Sequence, residues 1–177
     1  MRLPYTICFC CCGDALLMLY RYWPPARHRW NGLGGKREGD ELPLPCIYRE
    51  VWEEAGIDLG AADDVRFAGT VTWPVGADST DLSRGMYAFV AVLPLDWPRW
   101  EGTRDSPEGL LRWHPIRWVC DPNNAEVADN IPHFLPPMLA GMPPVDYYCD
   151  YRGDRLIDVI VRPLDLDDRE AQTGLGR

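Results

Sequence analysis

The sequence predicts a single mixed α/β domain. Apolar runs of strand length recur between turn residues, one stretch carries helical apolar spacing closed by a glycine, and 177 residues suffice for one core of ordinary size. Residues 5–12 and 15–22 read as strands, and Gly13-Asp14 between them is a hairpin signal. The run Ala15-Leu16-Leu17-Met18-Leu19-Tyr20 is apolar enough to be central. Residues 23–41 read as a loop, because Pro24, Pro25, Gly32, Gly34, Gly35 and Gly39 break regular structure there. Residues 44–55 place Leu44, Ile47, Val51 and Ala55 on one helical stripe, with Gly56 where a left-handed cap belongs. Pro43 and Pro45 fit only a first helical turn, so the helix begins near Leu44. Segments 65–73 and 86–94 read as strands joined by a polar loop, and 113–119 as a short strand. Residues 131–140 show helical spacing interrupted by Pro136 and Pro137. Residues 147–151 and 156–161 are strands about the turn Gly153-Asp154. The domain is expected to run over 1–164, with 165–177 a mobile tail.

Composition narrows the function. A formal net charge of −9 argues against a duplex nucleic acid partner. It leaves room for a small phosphorylated ligand, provided divalent cations stand between the two sets of anions. The N-terminus lacks the pattern of a signal peptide, and no apolar run reaches the roughly 18 residues of a membrane span. Seven cysteines without paired spacing do not form a disulfide framework. In a strand, Cys8, Cys10 and Cys12 share one face and Cys11 takes the other, so they read as small buried hydrophobes in a reducing cytoplasm. Eight tryptophans are many for this length; most are expected in the core, with a stacking pocket as the alternative use.

The chemistry is concentrated in one segment. Gly35 is followed by five residues and Glu41, then by seven residues and Arg49-Glu50-Val51-Trp52-Glu53-Glu54-Ala55-Gly56-Ile57. On a helix Glu50, Glu53 and Glu54 lie at i, i+3 and i+4, on one face. Like charges so placed repel, and hard oxygen donors converging in this way suit Mg²⁺ or Mn²⁺. The stripe with Ile47 and Val51 is left to pack on a sheet. The glycines before the helix let the backbone approach metal and phosphate. Arg49 is placed to hold a neighbouring carboxylate by a bidentate pair. A solvated acidic helix face is the bland alternative; Glu41, Arg49, Gly56 and the loop glycines in register weigh against it.

This segment resembles the Nudix signature, Gly-x5-Glu-x7-Arg-Glu-(apolar)-x-Glu-Glu-x-Gly-(apolar), at every specified position. The resemblance implies a Nudix α/β/α sandwich with a mixed central sheet and a loop–helix–loop catalytic motif. It also implies metal-dependent hydrolysis of a nucleoside diphosphate linked to another group. It implies Glu50, Glu53, Glu54 and the Gly34 carbonyl as metal ligands, joined by a later acid, here Glu108. Trp30-Asn31-Gly32-Leu33-Gly34-Gly35-Lys36 is similar to the segment leading into this motif in the MutT-type 8-oxo-dGTP diphosphatases, where the Asn contacts the oxidised base. The likeness extends loosely over residues 2–162. It implies Asn31, Lys36, Asp129 and Asn130 as substrate-binding residues, and Glu53 or Glu108 as base, with Arg49 in support. The expected reaction turns an oxidised purine nucleoside triphosphate into nucleoside monophosphate and pyrophosphate. The alternatives are another substrate, such as ADP-ribose, a nucleotide sugar or a capped RNA end, and a non-catalytic nucleotide-binding module. The complete set of motif glutamates speaks against the latter.

Overall fold

The structure is a computed structural model, described over residues 3–23, 26–74 and 85–164. Its elements are β1 (Tyr5–Cys12), β2 (Ala15–Arg21), β3 (Trp30–Asn31), α1 (Pro43–Ala55), β4 (Asp64–Thr72), β5 (Gly85–Val92), β6 (Arg104–Ser106), β7 (Gly109–Pro115), α2 (Ile116–Val119), α3 (Ile131–Leu139), β8 (Val145–Arg152) and β9 (Arg155–Arg162). The strands form one sheet in the order β6-β7-β2-β1-β5-β4-β8-β9, with β3 added to β2. β1 pairs with β5, and β4 with β8, in parallel; the other ladders are antiparallel. The sheet is therefore mixed, and α1 and α3 cover its two faces.

Alternation along β1 and β2 builds both halves of the core. Cys8, Cys10, Cys12, Leu17 and Leu19 face α1, where Ile47 and Val51 of the helix meet them. Ile7, Phe9, Leu16 and Met18 face α3 with Ile131, Phe134, Leu135 and Met138, and Cys11 packs on that side too. The cysteines are free thiols on the faces expected of them. Trp30 is buried, and Trp73, Trp97, Trp100, Trp113 and Trp118 pack half-buried against the two cores, whereas Trp23 and Trp52 are exposed.

Three sequence expectations need correction. Residues 113–119 are not one strand: β7 ends at Pro115, and Ile116–Val119 turn into α2. Proline ends the ladder because it has no N–H, and its fixed φ suits the position just before a helix. The loop 23–41 contains β3, whose Trp30 and Asn31 pair with Tyr20 and Leu19. Pro136 and Pro137 do not interrupt α3, because Ile131, Phe134, Leu135 and Met138 at i, i+3, i+4 and i+7 are all buried and hold the helix against the sheet. Residues 165–177 lie outside the described residues.

Between β7 and α2 the packing carries a pH signature. His114 is 8% exposed, stacked on Trp118 at 4.1 Å and edge-on to Trp30 at 4.4 Å. Burial, with the nearby charge of Arg112, lowers its pKa to about 4. The unfolded chain takes up this proton near pH 6.5, the folded chain only near 4. Stability from the neutral ring is thus present above that range and lost as pH falls through it. Between pH 7 and 4.5 the protein should lose about 2 kcal/mol more than a His114→Phe variant, which keeps the stacked ring. Urea midpoints at the two pH values test this; equal losses would show that His114 is not the group responsible.

Candidate active site

The loop 32–41 and helix α1 form the site because the chain pins both to the sheet. Thr6 N–H donates to the Gly35 carbonyl at 2.9 Å, and Cys8 and Leu33 exchange backbone bonds at 2.6 and 3.0 Å. Residues 33 and 35 are thereby tied to β1. Gly34 between them turns its N–H the other way, onto Glu54 Oε2 at 2.9 Å. Gly34 has φ 139°, and a Cβ there would stand 2.3 Å from the Thr6 carbonyl, so only glycine fits. A Cβ on Gly35 would stand 2.5 Å from Glu50 Oε2, so the loop backbone lies directly against that carboxylate. Pro43 opens α1, and Gly56 closes it with φ 65°.

Arg49 organises the acids. Its Nε and Nη2 donate to the two oxygens of Glu41 at 3.0 and 2.8 Å, the bidentate pair expected from the sequence. Its Nη1 donates to Glu50 at 2.7 Å and Glu53 at 3.2 Å, and Nη2 also reaches the Lys36 carbonyl at 3.3 Å. Hydrogen bonding to Arg49 lowers the pKa of Glu41 to about 2. Arg37 braces the same loop through the carbonyls of Leu3 and Glu41.

The acids expected at a metal come from α1 and from the turn between β6 and β7. Glu54 is 5% exposed, and burial raises its pKa to about 8 against the opposing pull of the Gly34 N–H. Glu50 is raised as well, again chiefly by burial. The charge of Glu108, from the turn between β6 and β7, adds to both shifts, so Glu108 faces Glu50 and Glu54. Glu53 stands at the exposed rim. Sequence reasoning missed Arg21: from the end of β2 it forms an ion pair with Glu108 at 2.8 Å, and its charge also reaches Glu54. A lone arginine at a strand end has no spacing partner to mark it. Among the described residues no three acidic, histidine or cysteine side chains form a ready-made cation cage, because each acid is drawn to a protein donor. The donor set nevertheless fits a hard divalent cation. Its atoms are all oxygen, and Glu54 Oε1 is buried without a hydrogen-bond partner.

The residues expected at the base lie on the neighbouring edge. The Trp30 N–H donates to the Glu126 carbonyl at 2.8 Å, and the Ala128 N–H to the Trp30 carbonyl at 3.0 Å. This pairing sets Asn31 beside the turn that carries Asp129 and Asn130. Asn31 is half-buried, with Oδ1 accepting from the Gly32 N–H at 2.9 Å. Asp129 accepts from the Tyr151 hydroxyl at 2.8 Å and lies 4.0 Å from Arg29. Asn130 Nδ2 points to the Cys149 sulfur at 3.8 Å. Lys36 is exposed, and its carbonyl rather than its amine meets the site through Arg49.

Comparison with known proteins agrees with this architecture. The chain superimposes on the mutator MutT protein from Bacillus halodurans with a TM-score of 0.68, over 91% of this chain and 98% of that one, at 24% identity. It superimposes on the NUDIX domain of Shewanella oneidensis NrtR, solved with ADP ribose, with a TM-score of 0.54 over 80% and 86% of the two chains, at 13% identity. Among curated proteins, Nudix hydrolase 19, chloroplastic, from Arabidopsis thaliana is 36% identical over 78 residues. That match takes in 43% of this chain and 16% of the relative. The family model for the NUDIX domain matches residues 1–136. Members of this family generally need divalent metal ions. With the signature complete from Gly35 to Ile57, the chain belongs to the NUDIX domain family.

Proposed function

We propose that the chain is a metal-dependent pyrophosphohydrolase of oxidised purine nucleoside triphosphates, with 8-oxo-dGTP preferred, yielding nucleoside monophosphate and pyrophosphate. The observation that carries the chemistry is the convergence of Glu50, Glu54 and Glu108, with Glu54 Oε1 buried and unpartnered, beside the Gly34–Gly35 loop. In this reading Glu50, Glu53, Glu54, Glu108 and the Gly34 carbonyl would hold Mg²⁺ or Mn²⁺. The cation would neutralise phosphate oxygens and acidify the attacking water. Glu53 or Glu108 takes the proton of that water, and the clustered acids titrate as a set. Arg49 keeps the helix and loop acids in register, and Arg21 balances their charge at the β2 end.

The base reading is supported by the pairing of Trp30 with residues 126–128, which sets Asn31 next to Asp129 and Asn130. An amide can donate and accept on a purine edge together. Asn31→Ala should raise KM and flatten the preference for 8-oxo-dGTP over dCTP by about 1–3 kcal/mol, the range for a lost bidentate base contact. The deciding experiment is kcat/KM for 8-oxo-dGTP, dGTP, dCTP and ADP-ribose with Mg²⁺, for both proteins. ADP-ribose as the best substrate, or an equal loss on all four, would defeat the base assignment and leave the phosphate chemistry standing.

A further inference from the structure

Two guanidiniums serve the acids of this site, and they are held differently. Arg49 is anchored on both oxygens of Glu41, so it keeps a partner whatever Glu50 and Glu53 bind. Arg21 forms one ion pair among the described residues, with Glu108 Oε2 at 2.8 Å, and its Nε is buried without a hydrogen-bond partner. Alternation along β2 puts Arg21 on the face of Leu17 and Leu19, which is the face of α1. The side chain is only 13% exposed, so its charge is spent on the acids beside it more than on water.

The backbone that carries Glu108 is fixed. Gly109 stands opposite Arg21 in the ladder of β2 and β7, and a Cβ there would run into the Tyr20 carbonyl. The Tyr22 N–H donates to the Glu108 carbonyl at 3.1 Å. The turn is thereby seated on the end of β2, and only side chains are left to change partners. Glu108 Oε2 is buried although the side chain as a whole is 40% exposed, and the group in contact with that oxygen is the Arg21 guanidinium. A divalent ion and a guanidinium on one carboxylate would stand about 5 Å apart and repel each other strongly in so sheltered a place.

We propose that Arg21 is a resident counter-cation, which a divalent metal must displace from Glu108, and that this exchange sets the metal affinity of the site. The proposal rests on the reading of Glu50, Glu54 and Glu108 as metal ligands. Without metal, Arg21 neutralises one member of a cluster of acids that repel one another. With metal, the divalent ion takes over that task and the guanidinium turns away from the carboxylate. Arg49 stays in place on Glu41. Arg21 meets no reacting atom in this exchange and is a positioning residue.

The test uses Mn²⁺ alone, without nucleotide, on the full chain. Free Mn²⁺ is followed by electron paramagnetic resonance, and stability by thermal scans. Arg21→Gln removes the competing charge and keeps a polar side chain. It should bind Mn²⁺ at least about fivefold more tightly than wild type, because a positive charge is taken from the neighbourhood of the ion. Its melting temperature should lie below that of wild type without metal and match it in saturating Mn²⁺. A residue that only packs would lower both melting temperatures alike. Arg21→Lys keeps the charge and should bind Mn²⁺ within about twofold of wild type. In the wild type, the Arg21 Nε–H resonance should shift when Mg²⁺ is added, a readout that holds even if the glutamine variant does not fold. Equal or weaker Mn²⁺ binding by folded Arg21→Gln, or an Arg21 resonance indifferent to Mg²⁺, would show that the ion pair persists beside the metal and overturn the proposal. Failure of the wild type to bind Mn²⁺ would overturn the metal reading itself, and the proposal with it.

Discussion

Glu53→Gln and Glu54→Gln should each lower turnover by at least ~10², with the fold kept, because each removes a charge from the centre where negative phosphate must be balanced. The two substitutions differ in how they reach that result. Glu54 is buried and accepts from the Gly34 N–H, so glutamine there keeps an acceptor for the loop while removing the ionisable oxygen that lacks a partner. Glu53 is at the rim with Arg49 at 3.2 Å, so glutamine there leaves the packing of α1 untouched. Single-turnover rates with circular dichroism spectra of both variants are the measurement. Near-wild-type rates in both would remove this helix face from the reaction.

Complete chelation should abolish hydrolysis, and added Mg²⁺ or Mn²⁺ should restore it, because every candidate ligand is an oxygen and the acids repel one another. The same cations should raise the melting temperature, since binding to the folded state alone stabilises it by mass action. Thermal scans with and without cation provide a readout independent of activity. Turnover that survives chelation would remove the metal from the mechanism.

Much of this molecule was legible in the residues. A helix over 44–55, found over 43–55, followed from its apolar stripe, two early prolines and the closing Gly56, and its acidic face followed from spacing alone. The strands flanking Gly13-Asp14 and Gly153-Asp154 followed from alternation and turn chemistry. What escaped depends on partners distant in the chain. Trp30 and Asn31 become a strand only because β2 and residues 126–128 supply hydrogen bonds on either side. Arg104–Ser106 is too short and polar to show periodicity. The run 113–119 is aromatic and β-branched, which reads as strand throughout, and the decisive residue is Pro115, whose missing N–H ends the ladder. At the site, the glutamates announced themselves by period, whereas Arg21 acts through a contact with Glu108, 87 positions later.

The contacts of Arg49 have a mechanical consequence. One guanidinium touches Glu41, Glu50, Glu53 and the Lys36 carbonyl, so the glycine-rich loop and the helix behave as one stiff part. Thermal motion then carries the carboxylates together instead of spreading them. Glycines would otherwise leave this loop free to move. Suppleness is thus confined to how the backbone was threaded past Thr6 and Glu50, and rigidity governs what an arriving phosphate meets.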